Sequence, residues 1–316
     1  MERNFDSFFN SLQEEQLKKI WEAKKIENSK IRKIEIPIII IVNILIVYFS
    51  IKDNDRSYIN FLNFISIFFS EIPTLFIVDV FILVFFSIIY TKKDNMYNKI
   101  FKEKVMYKIF ENFLNDVEYV PKKQMPKSIY KEGKYEKYEN KYYSDDYVEG
   151  KIDDKYLIKM AEITTKYNNK GNNPKDDVTI FSGLFAKIDI GKSINNELRI
   201  ELNKTIQNNK RLEMDSEEFE EYFDVFSTNK IIGMQILTHD IMDLLVNFRN
   251  QYKILFDILI INDSMYIRLH VGNMFEAELS SDSVINKRIV ERYFYIVNFI
   301  YSLSKKMIHT VEETEI

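Results

Sequence analysis

The residues able to do chemistry are few: three histidines, no cysteine, and carboxylates scattered among lysines. Without a thiol there is no disulfide framework, thiolate zinc site, iron–sulfur ligation or cysteine nucleophile. His239, Asp240 and Asp243 have the spacing of an acid/base pair or of metal ligands one helical turn apart. The same residues also suit a helix start, with Thr238 as N-cap and Asp240 at the positive end of the helix. His270 alternates with Tyr266 and Arg268, opposite Met265, Ile267, Leu269 and Val271, a strand pattern that predicts a solvent-facing ring. His309 falls in a polar tail. Glu217, Glu218, Glu220 and Glu221 form a carboxylate cluster of a kind that can bind Mg²⁺ or Ca²⁺ but is more often a solvated helix face. EF-hand, Walker, GxGxxG, GxSxG and HExxH patterns are absent, which weighs against an enzyme without excluding one. Gly183 has no helix start after it and reads as a sheet bend or bulge rather than a phosphate cradle. The sequence therefore assigns no catalytic, cofactor-binding or metal-ligating residue, and implies no cofactor.

One acid stands out for its setting. Asp79 is the single charge inside Ile72 to Tyr90, a segment long enough to span a bilayer. Ile36 to Ile51 is apolar apart from Asn43 and Ser50, and forms a shorter first span. In an antiparallel hairpin Asn43 and Asp79 lie at depths that differ by about 4 Å, so they are expected to form an intramembrane polar pair that fixes register. An ion or proton path through Asp79 is the alternative. Seven Lys and Arg precede the first span and six follow the second within about twenty residues, against only Lys52 and Arg56 between them. The bias predicts a multi-pass protein with both termini cytoplasmic. Tyr58 to Phe69 reads as an interfacial helix or as an extension of the second span.

Around the hairpin, residues 1–35 read as an amphipathic helix carrying Phe5, Phe8, Phe9, Leu12, Leu17, Ile20 and Trp21. Residues 91–120 read as a second helix, with Tyr97, Phe101, Val105, Ile109, Phe113 and Val117 every four residues. Packed together they would make a coiled-coil-like stalk continuing a hairpin of residues 36–90. Pro121, Pro126 and Gly133 mark 121–143 as a linker. Residues 144–307 read as a soluble domain, and 308–316 as its polar tail. Strands are predicted at Tyr147 to Ile152, Tyr156 to Tyr167, Val178 to Ile190, Arg199 to Asn203 and Phe223 to Phe226. Leu255 to Ile261 and Met265 to Val271 are predicted as a hairpin turning at Asn262 to Ser264. Helices are predicted at Thr238 to Tyr252 and Ile285 to Lys306. The fold class is thus membrane-anchored α+β: a two-helix transmembrane hairpin with a helical stalk, then a mainly antiparallel β-sheet domain with covering helices.

Several stretches together resemble a known family. They are FSGLF at Phe181 to Phe185 followed by alternating KIDI, FEEYFDVFST at Phe219 to Thr228, ILTHDIMDLL at Ile236 to Leu245, and a MFEAEL strand at Met274 to Leu279. In order and spacing they resemble the bacterial membrane proteins of domain of unknown function 3137, and Phe101, Lys102, Tyr119 and Pro121 fit that family's post-membrane segment. Where such proteins often carry proline after the Leu-Thr pair, this chain has His239. The resemblance implies a two-span protein of the bacterial cell membrane with a cytosolic domain, and brings no activity or site residues.

The expected role is a membrane-presented binding or scaffolding domain. Its partners are the lipid bilayer and a protein partner or second copy of the chain. The formal charge of −4, with Lys and acids interleaved, argues against nucleic acid. Phe181, Phe185, Phe223 and Phe226 are the candidate partner surface, with core packing as the competing use of the same rings. The alternatives are an enzyme built from Asp240, Glu276 and the acidic cluster, or an oligomeric channel or transport accessory using Asp79.

Overall fold

A computed structural model describes residues 4–12, 14–53, 61–135, 139–168, 177–202, 211–277 and 286–314. Asn4 opens a short helix, α1 (Phe5–Ser11), by accepting the Asp6 N–H at 2.8 Å. The chain then forms two compact units, one made mostly of residues 13–101 and one of the remainder.

The first unit is a pair of long helices, α2 (Glu14–Asp53) and α3 (Phe61–Phe101). Within them Ser29–Ser50 and Phe69–Tyr90 are long and apolar enough to cross a membrane. Ile40, Ile44, Phe76, Phe81 and Phe85 are exposed, an arrangement that favours lipid over water as the surrounding solvent. Less exposed residues recur at helical spacing on both helices: Ile39, Asn43, Ile46 and Ser50 on α2, and Leu75, Asp79, Ile82 and Phe86 on α3. Asn43 Nδ2 donates to Asp79 at 3.2 Å (Oδ1) and 3.3 Å (Oδ2), and Tyr90 donates to Glu35 at 3.2 Å. Of the stretch 58–69, residues 61–69 are continuous with α3, while 58–60 lie outside the described residues.

The second unit begins with a π-helical turn at Lys102–Met106, followed by α4 (Tyr107–Phe113) and β1 (Asn115–Val120). Next come α5 (Lys127–Glu132), β2 (Lys141–Ile152), β3 (Tyr156–Tyr167), β4 (Val178–Asp189) and β5 (Glu197–Leu202). Then follow β6 (Arg211–Leu212), α6 (Glu217–Tyr222), β7 (Phe223–Ser227), α7 (Lys230–Ile236) and α8 (His239–Tyr252). The hairpin β8 (Leu255–Ile261) and β9 (Ser264–His270) and the long α9 (Lys287–Glu313) complete it. The nine strands form one antiparallel sheet in the order β1-β2-β3-β4-β9-β8-β5-β7-β6.

Both faces of this sheet are used. On one, Phe256 of β8 meets Phe248 of α8 and Phe299 of α9 at ring separations of 5.9 and 5.4 Å. On the other, Met125 and Tyr130 pack with Tyr147, Ala161, Ile163, Phe181, Phe185, Leu259 and Tyr266. Alternation along the strands supplies the two sets. Gly183 lets β4 pass β9 closely: a Cβ there would stand 1.9 Å from the Leu269 carbonyl oxygen.

Several elements differ from the sequence reading. The N-terminal amphipathic stripe is divided: Phe5 and Phe8 of α1 pack against Phe294 of α9 at ring separations of 5.5 and 5.1 Å, so these rings serve the sheet unit rather than a stalk. The four-residue stripe after the second span does not stay in one helix. Its Ile109 and Phe113 are buried, Phe113 against Phe294 and Tyr301 of α9, and the chain then turns into β1. The expected linker 121–143 holds α5 and the buried Met125 and Tyr130, because the second sheet face is apolar and needs a cover. The expected polar tail is the last part of α9, where Val311 is fully buried. Met274 to Ala277 form no strand; two of their amides are used elsewhere, as described next.

Candidate functional site

The site grows from an irregularity in β2. Asp145 faces Glu162 across the β2–β3 ladder and Val148 faces Met160, so Asp146 and Tyr147 together stand opposite Ala161. Such a bulge re-aims a side chain. Asp146 takes a left-handed backbone (φ +52), which aspartate tolerates better than most residues, and its N–H donates to the Pro121 carbonyl at 2.9 Å. Its carboxylate is thereby buried beside that of Glu162.

Four groups converge on Asp146 and Glu162. The π-helical turn brings in Lys102, whose Nζ donates to Asp146 Oδ2 at 2.6 Å and Glu276 Oε1 at 2.7 Å. From β1, Tyr119 donates its hydroxyl to Asp146 Oδ1 at 2.5 Å. The backbone N–H groups of Met274 and Phe275 both donate to Glu162 Oε1, at 2.7 and 2.6 Å. This is the reason Met274 and Phe275 join no ladder: their amides hold a buried carboxylate instead. Glu162 Oε2 is buried with no hydrogen-bond partner among the described residues. One carboxylate oxygen from each of Asp145, Asp146 and Glu162 lies within 4.8 Å of the other two. Asp145, Glu162, Gln124, Tyr143, Ser144, Ile163, Thr164, Gly272 and Asn273 line a cavity of about 290 Å³.

The electrostatics follow from burial and crowding. Burial, added to the nearby Asp146 charge, pushes the Glu162 carboxyl up to about 8 against the pull of the Phe275 and Met274 amides. Asp146 is raised to about 6, burial outweighing Lys102 and Tyr119. Asp145 is raised by burial, with Lys102 opposing. Burial works against the Lys102 charge, but Asp146 and Glu276 outweigh it and hold the ammonium above the ordinary lysine range. Burial, then Asp146, raises Tyr119, so both donors keep their protons at neutral pH. The cluster is rich in oxygen ligands and strong donors.

The residues singled out in the sequence lie elsewhere, with one exception. His239 opens α8, exposed, with Nε2 3.6 Å from Asp243, and Thr238 makes no side-chain cap bond. Asp240 pairs with Lys306 at 3.2 Å. Glu217, Glu218, Glu220 and Glu221 lie on α6, where Glu220 meets Arg211 at 3.2 Å and Glu218 accepts from Asn250 at 3.0 Å. His270 does not turn to solvent: it stands 3.2 Å from Asp257 and edge-on to Phe181. Glu276 alone reaches the acidic site, so the enzyme set of Asp240, Glu276 and the α6 cluster is not assembled. The candidate partner surface is likewise core. Phe181, Phe185 and Phe223 are buried against Tyr130, Tyr266 and Phe256, and Phe226 is half-buried. Asp145, Asp146 and Glu162 were not selected from the sequence. The available signal was indirect: Lys102, Tyr119, Pro121 and the MFEAEL segment, quoted above for a family resemblance, all meet around Asp146 and Glu162.

Fold and site together define an α+β domain with a buried acidic pocket, in a chain whose two apolar helices fit a membrane protein. Over residues 179–308 the chain matches the family described as "Protein of unknown function (DUF3137)", the family that the FSGLF, FEEYFDVFST and ILTHDIMDLL stretches resemble. Residues 101–121 lie outside that match. A solved structure titled "crystal structure of the mycobacterial trehalose monomycolate transport factor A, TtfA" is similar at 10% identity and a TM-score of 0.32, over 60% of this chain and 88% of that one. None of the curated proteins compared with the chain matches it.

Proposed function

We propose that this protein is a membrane-anchored binding domain: α2 and α3 anchor it as a two-span hairpin with both termini in the bacterial cytoplasm, and the Asp145–Glu162 pocket receives a small ligand. The observation that carries the reading is the unpartnered Glu162 oxygen at a polar cavity of about 290 Å³. A buried carboxylate oxygen without a partner costs on the order of 1–3 kcal/mol, and a bound ligand or proton relieves that cost. Small-ligand binding is favoured over protein scaffolding because the aromatic rings that would dock a partner are used in the core. In the hairpin, the Asn43–Asp79 contact acts as a register device between the helices.

Native mass spectrometry of the full chain released from membranes in detergent tests the pocket. We expect a bound mass on the wild type that disappears when Asn273, at the pocket wall, is replaced by Trp. A chain found only at its own mass, in wild type and N273W alike, would sink the binding reading.

A further inference from the structure

We propose that the carboxylate cluster of Asp145, Asp146 and Glu162, beside the cavity that Asp145 and Glu162 line, binds a hard divalent cation, of which Ca²⁺ fits best. This rests on the binding reading above and names the ligand class. Asp145 and Glu162 stand directly opposite each other across two antiparallel strands, a pairing that destabilises the ladder when both are ionised unless a cation lies between them. Among the described residues no ammonium or guanidinium comes within ion-pair distance of either carboxylate. Lys102 is committed to Asp146 and Glu276. Even with Glu162 protonated, three further carboxylates (Asp145, Asp146 and Glu276) against the one ammonium of Lys102 leave a surplus of negative charge beside the cavity.

Geometry favours an ion over a larger cation at this point. Ca²⁺ takes oxygen ligands at about 2.3–2.6 Å, so oxygens on opposite sides of its shell stand about 4.6–5.2 Å apart. The three carboxylate oxygens, within 4.8 Å of one another, are close enough to share one ion, and Ca²⁺, with its larger and more flexible shell, needs less rearrangement of the strands than the strict octahedron of Mg²⁺. Glu162 Oε2, buried and unpartnered, is the first ligand, and its other oxygen is fixed by two backbone amides. Asp145 is the second. Asp146 contributes an oxygen that also accepts from Tyr119 or Lys102, an orienting role for those two donors of the kind seen around other metal ligands. Gln124 and Asn273 also line the cavity, which has room for water to complete six to eight ligands.

The test is a Ca²⁺ titration of EDTA-stripped full chain in detergent by calorimetry, with Mn²⁺ and its electron paramagnetic resonance signal as a second probe. We expect one ion per chain. Glu162→Gln keeps an oxygen for the Met274 and Phe275 amides, so its circular dichroism should match the wild type while its affinity falls at least about tenfold. Asp145→Asn, at an exposed position, should lose a comparable factor and guards against any folding defect in the first variant. Absence of Ca²⁺ and Mn²⁺ binding by the wild type, or equal binding by all three proteins, overturns the proposal. So does a bound organic mass that survives EDTA and is lost in N273W; that outcome leaves the binding reading standing. A chain with no ion and no bound mass defeats both.

Discussion

Burial alone would raise the Asp257 carboxyl, yet contacts from His270 and Arg268 hold it below the usual carboxylate range. Arg268 Nη2 and Nε both donate to Asp257 Oδ2, at 2.7 and 3.1 Å. A carboxylate depressed in the folded state stabilises it fully above its unfolded value of about 3.9, and that contribution is lost as pH falls through this value toward the depressed one. Asp257→Asn, which removes the buried carboxylate that Arg268 and His270 both contact, should therefore cost about 3–5 kcal/mol at pH 7. Denaturant unfolding should show the gap between wild type and variant narrowing below about pH 4; a gap that stays constant with pH would refute the account. Gly183 makes a steric prediction instead. Because a Cβ there meets the Leu269 carbonyl at 1.9 Å, Gly183→Ala should lose at least about 1–3 kcal/mol, read as a lowered thermal midpoint. Legibility at this scale is uneven. A bend at Gly183 is visible in FSGLF, since glycine inside a strand pattern signals close backbone approach. The bulge at Asp146 is not visible, because two acids before a strand read as solvated, and nothing local reveals that Lys102 and Tyr119 will meet them from 44 and 27 residues away. Lysine is too common in this chain for Lys102 to stand out.

Element by element, what the sequence discloses depends on whether an element carries its own reason for existing. The long apolar runs of α2 and α3 do, as does the β8–β9 hairpin, where Asn262 supplies the left-handed turn residue (φ +55) between two alternating strands. Short pieces such as α5 and β1 do not: their residues become a helix and a strand only because the sheet offers a face to cover and an edge to pair. The two halves of the N-terminal stripe show the same dependence, since Phe5 and Phe8 follow their partner Phe294 and not the helical period. Phe8→Ala should accordingly speed hydrogen exchange of the amides in 5–11 while leaving those of β3 and β4 unchanged. Uniform acceleration across the sheet would mean that α1 folds as one piece with it. For the hairpin, a hydrogen bond between spans averages only about 0.6 kcal/mol. Asp79→Asn should leave assembly intact, with proton flux into liposomes at background for both proteins; flux in the wild type that vanishes in the variant would make Asp79 part of a conduction path instead.

At the scale of the molecule, the orientation read from Lys and Arg bias is open to a clean chemical test, because the chain has no cysteine of its own. Ser57→Cys, between the spans, should react with a membrane-impermeant maleimide in intact cells, and Glu313→Cys should react only after the cells are broken. The opposite pattern would invert the topology. Because α1 rests on α9, the sheet unit is composed of sequence from both sides of the apolar hairpin. A ribosome must synthesise nearly three hundred residues after Phe8 before Phe294 emerges, a delay on the order of tens of seconds at typical elongation rates. During that interval the apolar face of α1 lacks its partner, while the hairpin is already available for insertion. On the proposed anchoring, membrane integration would precede closure of the domain, and an arrest of translation ahead of α9 should leave a tethered, protease-sensitive intermediate.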